Sequence, residues 1–204
     1  AMPRGVIAYF LYIYKKMSFQ AAFFLFSIFT ISQIHDIIIS EQLGGGVMKK
    51  LVVYYSLSGN TRAVAKRIAQ TLRADLMEIR TIKTYPDDYD VLVGLGEKEV
   101  KSGYMPQIAP LTYDANEYGT IIIGTPVWWY TYAPAVKKFM STVRWKGKKV
   151  YPFTTNGGEL GHTPSDFRKA LRGAVVSPVL SIRFNEGVQV TEESDVKEWV
   201  AEIK

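Results

Sequence analysis

The chain has 204 residues, of which 48% are hydrophobic and 22% charged, with two histidines, no cysteine and a formal net charge of +6. The lack of cysteine excludes disulfides, iron–sulfur clusters, thiol redox chemistry and cysteine-based zinc sites, and two histidines are too few for a typical multi-histidine metal centre. Redox chemistry in this chain therefore needs an organic cofactor, and the modest charge, without a basic run interleaved with aromatics, does not predict nucleic-acid binding.

Residues 1–47 form an N-terminal apolar extension that differs in composition from the rest of the chain. Residues 19–34 carry no charge, but a longer apolar span would include His35 and Asp36, which a lipid-spanning helix disfavours. Three interpretations stay open: a leader translated ahead of a native start at Met48, a membrane anchor, and a packing or dimerisation helix. N-terminal sequencing of the native protein distinguishes them, because a native peptide from this extension excludes the first.

Residues 48–204 alternate strands and helices and are predicted to form one domain. Short runs rich in β-branched and aromatic residues predict strands, and apolar residues spaced by three or four predict helices. In chain order we predict strand 50–56, helix 61–72, strand 74–80, helix 87–101, strand 120–124, helix 134–143, strand 149–155, helix 165–171, strand 175–184 and helix 192–203. This order predicts an α/β fold, a doubly wound five-stranded parallel sheet with helices on both faces in three layers. Ligands bind such sheets at the carboxyl ends of the strands.

The first loop at a strand end is rich in hydroxyl groups and leads into a helix. It supplies Ser56 and Ser58, a glycine for a tight turn at Gly59, and a helix cap at Asn60 or Thr61. Neutral donors at a helix N-terminus favour an anion. The loop lacks the Gly-Lys-Ser/Thr ending of a nucleoside-triphosphate loop and is not G-x-G-x-x-G. The alternative is a capped turn without a ligand.

The second loop places three consecutive aromatic residues, Trp128, Trp129 and Tyr130, after an apolar strand. They cannot all point into the core, so at least one is expected to offer a flat surface to a planar ligand. The alternative is an aromatic cluster that only covers the end of the sheet.

The third loop, residues 154–163, contains Gly157, Gly158 and Gly161. Glycines let backbone amides approach the polar edge of a ligand closely. The alternative is a glycine-rich connection with no chemical role.

Taken in order, the three loops resemble the flavodoxin family. Residues 56–61 (SLSGNT) match its phosphate loop, T/S-x-T/S-G-x-T, and residues 124–129 (GTPVWW) are similar to the G-x-P-x-W-W segment of one subfamily. The third loop resembles F-x-T-x-G-G-S-G-x-G-x-S. It keeps Phe153, Thr155, Gly157, Gly158 and Gly161, and it departs from the motif at Glu159-Leu160 and Thr163.

This resemblance implies a bound FMN and assigns each loop a part of the cofactor. The phosphate is expected at Ser56, Ser58, Gly59, Asn60 and Thr61. One side of the flavin ring is expected to contact Pro126, Val127, Trp128, Trp129 and Tyr130. The polar edge of the ring is expected at Thr155, Asn156, Gly157, Gly158 and Gly161. Neither a metal site nor a catalytic side chain is predicted.

The resemblance implies an FMN-binding redox protein that transfers electrons through the flavin to a redox partner protein. An FMN-dependent NAD(P)H oxidoreductase acting on a quinone, nitro or azo compound is the alternative, with a small aromatic acceptor in place of the partner. A non-redox binding module that keeps the fold is a further alternative. A cytoplasmic location is expected, with membrane attachment only if residues 1–47 are a native anchor, and a homodimer is left open.

The charge departs from what the family leads one to expect. Flavodoxins are acidic and dock basic partners, whereas residues 48–204 contain 22 basic and 17 acidic side chains. Arg62 is a candidate to add positive charge beside the phosphate, and Lys146, Lys148 and Lys149 are expected to form a solvated turn. His162 lies either near the flavin, where its proton would stabilise a reduced ring, or on the surface away from it.

Overall fold

The computed structural model describes residues 49–203, so the predictions for residues 1–47 lie outside the described part of the chain. Within residues 49–203, no helix is long and apolar enough to cross a membrane. The strands are β1 (Lys50–Tyr54), β2 (Asp75–Glu78), β3 (Thr120–Trp128), β4 (Thr131–Tyr132), β5 (Lys149–Asn156), β6 (Val175–Val176), β7 (Leu180–Asn185) and β8 (Val188–Gln189). The helices are α1 (Asn60–Leu72), α2 (Tyr89–Ser102), α3 (Pro134–Met140), α4 (Thr163–Ala170) and α5 (Glu193–Ala201), and a short 3-10 helix spans Ala115–Glu117.

The predicted five-stranded parallel sheet is confirmed, with the strand order β2-β1-β3-β5-β7. The chain leaves β1 for β2 on one side and then crosses to β3 on the other, so the direction of winding reverses beside β1. The carboxyl ends of strands at such a reversal border a crevice in which ligands bind. All three candidate loops follow strands at or next to this point.

Two apolar layers enclose the sheet, because alternate side chains of each strand point to opposite faces. Leu51 and Val53 of β1 pack on one face, together with Phe139 of α3 and Phe167 of α4. Val52 packs on the other face with residues of α1 and α5. Burying a side chain such as Phe139 completely contributes about 1.5–3 kcal/mol, so both layers stabilise the scaffold beneath the loops.

Two predicted strands differ from the observed ones by more than one or two residues at an end. The predicted strand 175–184 is wrong as one element, because β6 and β7 pair separately with β5 and a segment containing Pro178 interrupts them. Proline has no backbone N–H to donate and commonly ends a strand. The predicted strand 120–124 continues to Trp128 and turns back through β4, which pairs with it in antiparallel fashion.

Candidate functional site

The three loops lie together at one edge of the sheet, as predicted. They follow β1, β3 and β5, which are adjacent parallel strands. Side-chain and backbone contacts join the first loop to β5 and the second loop to the third. The arrangement therefore forms a continuous rim at the carboxyl ends of three strands.

The first loop ends in an open helix N-terminus. Gly59 precedes α1 with φ 97°, a conformation that favours glycine, and its N–H donates to the Ser56 hydroxyl over 3.2 Å. The predicted cap by Asn60 or Thr61 is wrong, because no side chain caps α1 and its first turn contains no acidic residue. The first N–H groups of a helix have no partner within it, so the end of α1 keeps donors for an anion.

Arg62 does not supply a free charge to this loop. Its Nε and Nη2 atoms donate to Glu78 Oε1 over 3.0 and 2.6 Å. Those contacts with the Glu78 carboxylate raise the pKa of the guanidinium further. The donors that remain in the loop are neutral hydroxyl and amide groups.

A buried hydrogen bond between two hydroxyls connects the first loop to β5. Thr61 Oγ1 and Thr155 Oγ1 lie 2.7 Å apart, and the two residues are only 2% and 5% exposed. If Thr155 contacts the edge of the flavin ring, as predicted, it must do so while its hydroxyl is hydrogen-bonded to that of Thr61.

Replacing both partners of this pair is expected to cost less stability than the two single replacements added together. Thr61→Val should lower the free energy of unfolding by about 1–3 kcal/mol, because the Thr155 hydroxyl stays buried without a partner. Adding Thr155→Val removes that hydroxyl, so the double variant should lose less than the sum of the two single changes. Denaturant unfolding of the cofactor-free protein measures all four proteins, and strict additivity would contradict the contact.

The second loop is a hairpin whose two-residue turn consists of Trp129 and Tyr130. Both residues have positive φ, 46° and 67°. Positive φ at both central residues is typical of a type I′ turn, which favours Asn-Gly, and each L-residue placed there costs about 1–2 kcal/mol. Three hydrogen bonds hold the turn. Trp129 Nε1 donates to the Val93 carbonyl over 3.0 Å, and the Tyr130 carbonyl accepts from the His162 N–H over 2.9 Å and from the Thr163 hydroxyl over 3.3 Å.

The three aromatic residues of the second loop divide into one packed and two exposed rings. Trp128 packs edge-on against Tyr55 and Tyr85, with ring centroids 6.0 and 5.0 Å away. Trp129 and Tyr130 are 38% and 53% exposed. Both side chains are therefore partly accessible at the rim, in agreement with the expectation that the three aromatics cannot all point into the core.

Tyr55 and Tyr85 belong to the wall of the site although sequence reasoning did not select them as site residues. Burial raises the pKa of both hydroxyls, so both stay neutral. The Tyr85 hydroxyl donates to Glu99 Oε2 over 2.7 Å and thereby connects the wall to α2. Tyr55 directly follows β1, and this position at the carboxyl end of a strand could have indicated that it lies near the site.

The third loop uses Asn156 for internal support. Its Nδ2 donates to the Ser181 hydroxyl over 2.9 Å, and its Oδ1 accepts from the Gly158 N–H over 2.9 Å. Gly157 and Gly158 are exposed, and a Cβ on either would meet no atom within 4 Å. Their backbone therefore faces open space that a ligand can enter.

The remaining predicted positions lie in or beside the strands. Pro126 pairs in register with Thr155, and Val127 pairs with Tyr132 in the hairpin. Ser58 is exposed. Gly161 lies directly against the Tyr130 backbone, which fixes the third loop beside the hairpin.

His162 and Asp166 form a pair at the start of α4 that the i, i+4 spacing could have indicated. His162 Nδ1 lies 2.5 Å from Asp166 Oδ2, and the Thr131 hydroxyl donates to the same oxygen over 2.8 Å. Burial raises the pKa of the Asp166 carboxyl, but the hydrogen bonds from Thr131 and His162 outweigh it and leave that pKa below its usual value.

We expect Asp166→Asn to destabilise the protein in a pH-dependent way. The lowered pKa means that ionised Asp166 contributes stability above the ordinary aspartate pKa of about 3.9, and that this contribution is lost as the pH falls through the lower folded-state value. The variant should lose about 1–2 kcal/mol near pH 7, and this deficit should shrink only as the pH falls from about 4 through the lower folded-state pKa. Unfolding at several pH values measures this, with the exposed Asp87→Asn as control; a deficit independent of pH would contradict it.

Comparisons with known proteins agree with this geometry. Residues 49–203 match the family model described as flavodoxin. A flavoprotein from Lactobacillus acidophilus NCFM, solved in complex with FMN, is 26% identical with a TM-score of 0.60, over 75% of this chain and 99% of that one.

Two further structures share the fold. Proteins assigned as flavoproteins from Bacteroides uniformis ATCC 8492 and Bacteroides eggerthii DSM 20697 are 24% and 23% identical, with TM-scores of 0.66 and 0.63. Each alignment covers 76% of this chain, and 98% and 97% of the respective relatives. No curated protein matches the chain. Because the family model spans most of its length, the chain belongs to the flavodoxin family.

Proposed function

We propose that this protein binds FMN and transfers electrons through it. The observation that carries the proposal is the rim at the ends of β1, β3 and β5, where an open helix N-terminus, two exposed aromatic rings and two unobstructed glycines meet. The FMN complex of the Lactobacillus acidophilus relative supports the same choice of cofactor.

The donor set fits a phosphate, a planar ring and a polar ring edge. Ser56, Ser58 and the first N–H groups of α1 would hold the phosphate with neutral donors and the helix dipole. Trp129 and Tyr130 would cover the ring, and the Gly157 amide would face its polar edge, since the Gly158 N–H already donates to Asn156. Bound FMN supplies the electron-carrying chemistry, while the protein positions it and sets its electrostatic surroundings.

The charges of the loops favour a low reduction potential. The phosphate loop contains no free cation, since Arg62 is paired with Glu78. Glu159 adds an exposed carboxylate to the third loop. Negative charge on a reduced ring would therefore be disfavoured. Redox titration of the FMN-loaded protein tests this, and a midpoint well above that of free FMN would contradict it.

An enzyme is the second candidate, supported by the exposure of Trp129 and Tyr130. Such a surface suits an apolar aromatic acceptor, and NAD(P)H and a quinone, nitro or azo compound would use it in turn. A carrier would instead serve a redox partner protein. Both roles fit a cytoplasmic setting, which stays part of the proposal.

Three measurements on the purified protein separate these functions. Flavin absorbance bands that stay with the protein through gel filtration support FMN binding, and their absence after incubation with FMN favours the non-redox module. Steady NAD(P)H consumption in the presence of a quinone favours the enzyme. Two resolved one-electron potentials in a stepwise reduction, without that consumption, favour the carrier.

A further inference from the structure

The positive charge of the described chain is concentrated in one stretch. Residues 131–173 contain nine Lys or Arg side chains and two acidic ones, Glu159 and Asp166. By contrast, residues 49–130 are almost balanced and residues 174–203 have an acidic excess. The charge that sets this chain apart from acidic flavodoxins is therefore local.

Part of this stretch does not reach the surface. Lys148 was expected in a solvated turn, but it is 7% exposed and donates to the Asn116 and Tyr118 carbonyls over 3.0 and 2.6 Å. Burial lowers the pKa of its ammonium group. Arg144, Lys146 and Lys149 are exposed, but they lie at or just before the start of β5, at the end of the sheet opposite the rim. The remaining five cations of the stretch lie on and just after α3 and α4.

Five cations on and just after α3 and α4 form what we call the basic face: Lys137, Lys138, Arg168, Lys169 and Arg172. Lys137 donates to the Gly103 carbonyl over 3.0 Å, and Lys169 lies 3.5 Å from Asp166. Within residues 49–203 the side chains of the other three make no ion pair or hydrogen bond. Their charges are consequently free to attract an anion.

A groove between α3 and α4 gives the basic face an apolar floor. Its volume is about 370 Å³, and Lys137 and Lys169 line it together with Met105 and Tyr132. A smaller cavity of about 150 Å³ shares Tyr132 and Lys137 with the groove and extends to His162 at the third loop. The groove thus begins beside the rim proposed to hold the flavin.

We infer that the basic face is the docking surface for an acidic redox protein, an inference that rests on the proposed electron-transfer function. Because the face is positively charged, it is complementary to a negatively charged partner surface. The apolar floor lies next to the rim, so a partner docked there comes close to the cofactor. A symmetric dimer formed through this face is disfavoured because the two basic faces would repel each other. A nucleic acid is disfavoured because Tyr132 in the groove is partly buried and, among residues 49–203, the basic face offers no series of exposed rings on which successive bases could stack.

The probe is an acidic plant-type ferredoxin, mixed in its reduced form with the full-length protein loaded with FMN. Its iron–sulfur cluster loses one electron and the cofactor gains it, so the rate constant reports productive docking. We expect this rate constant to fall at least about tenfold between about 50 and 500 mM NaCl. We expect K138E/R168E/R172E to lower it at least about tenfold at the lower salt concentration.

The matched control is K66E/K83E/K197E, which changes the net charge equally at three exposed lysines outside the basic face. It should stay within about threefold of the unchanged protein. Equal losses in the two variants, a rate independent of salt, or tighter binding to duplex DNA or phosphatidylserine vesicles than to ferredoxin would each overturn the inference. Thermal unfolding verifies that both variants fold; if K138E/R168E/R172E does not, K138Q/R168Q/R172Q replaces it.

Binding of oxidised ferredoxin to the cofactor-free protein, followed by NMR, separates this inference from the proposed function. If the protein does not bind FMN but ferredoxin still binds the basic face, the proposed function is contradicted and the docking surface is not. An FMN-loaded protein whose ferredoxin contacts lie elsewhere contradicts the docking surface alone.

Discussion

Ser58→Asp is expected to weaken FMN binding by roughly 100-fold while leaving the fold intact. Ser58 is exposed in the first loop, beside the open N-terminus of α1. A carboxylate there would itself interact with the positive N-terminal end of α1, which otherwise favours the phosphate. It would also repel the phosphate directly. A repulsion of about 3 kcal/mol weakens binding by roughly 100-fold. Titration of the cofactor-free protein with FMN, followed by flavin fluorescence, measures the affinity.

Ser58→Asn is the matched control, because it has nearly the size of the aspartate without its charge. We expect it to bind FMN within about tenfold of the unchanged protein, since it removes at most one hydrogen bond. Riboflavin, which lacks the phosphate, should bind all three proteins with similar affinity. If Ser58→Asp binds FMN as tightly as the unchanged protein, the phosphate does not lie at this loop.

The parts of the fold that follow from local sequence patterns were predictable. The alternation of apolar strands with amphipathic helices predicted the parallel sheet, and the positions of the three loops after strands predicted that they lie together at one edge of it. The interruption between β6 and β7 was also within reach, because Pro178 cannot donate to a ladder.

Contacts between distant residues were not predictable from those patterns. From its loop, Asn156 was predicted to contact the ligand, but its amide is hydrogen-bonded to Ser181. Lys148 was predicted to be solvated, but it donates to backbone carbonyls of a segment that is distant in the sequence. The Trp129–Tyr130 turn gave no turn signal, because its residues are poor formers of positive φ and the surrounding contacts impose it.

Gly161→Ala is expected to cost at least about 3 kcal/mol of stability, because glycine is required at this position for two separate reasons. Its φ of 54° disfavours any side chain, and a Cβ would lie only 2.2 Å from Tyr130 Cβ and 2.7 Å from the Tyr130 carbonyl oxygen. Tyr130 belongs to the strained turn and cannot move without losing the hydrogen bond that its carbonyl accepts from His162. The substitution should therefore displace the hairpin as well as destabilise the fold.

Gly187→Ala separates the two reasons. Gly187 also has positive φ, 81°, but a Cβ there meets no atom within 4 Å, so only the backbone cost of about 1–2 kcal/mol should be seen. Denaturant unfolding measures both variants, and a change in tryptophan fluorescence for Gly161→Ala alone would report the displaced hairpin. Equal losses would mean that Gly161 serves only its backbone conformation. A larger loss at Gly161 would instead identify it as the residue that joins the aromatic hairpin to the glycine-rich loop, the two sides of the proposed flavin site.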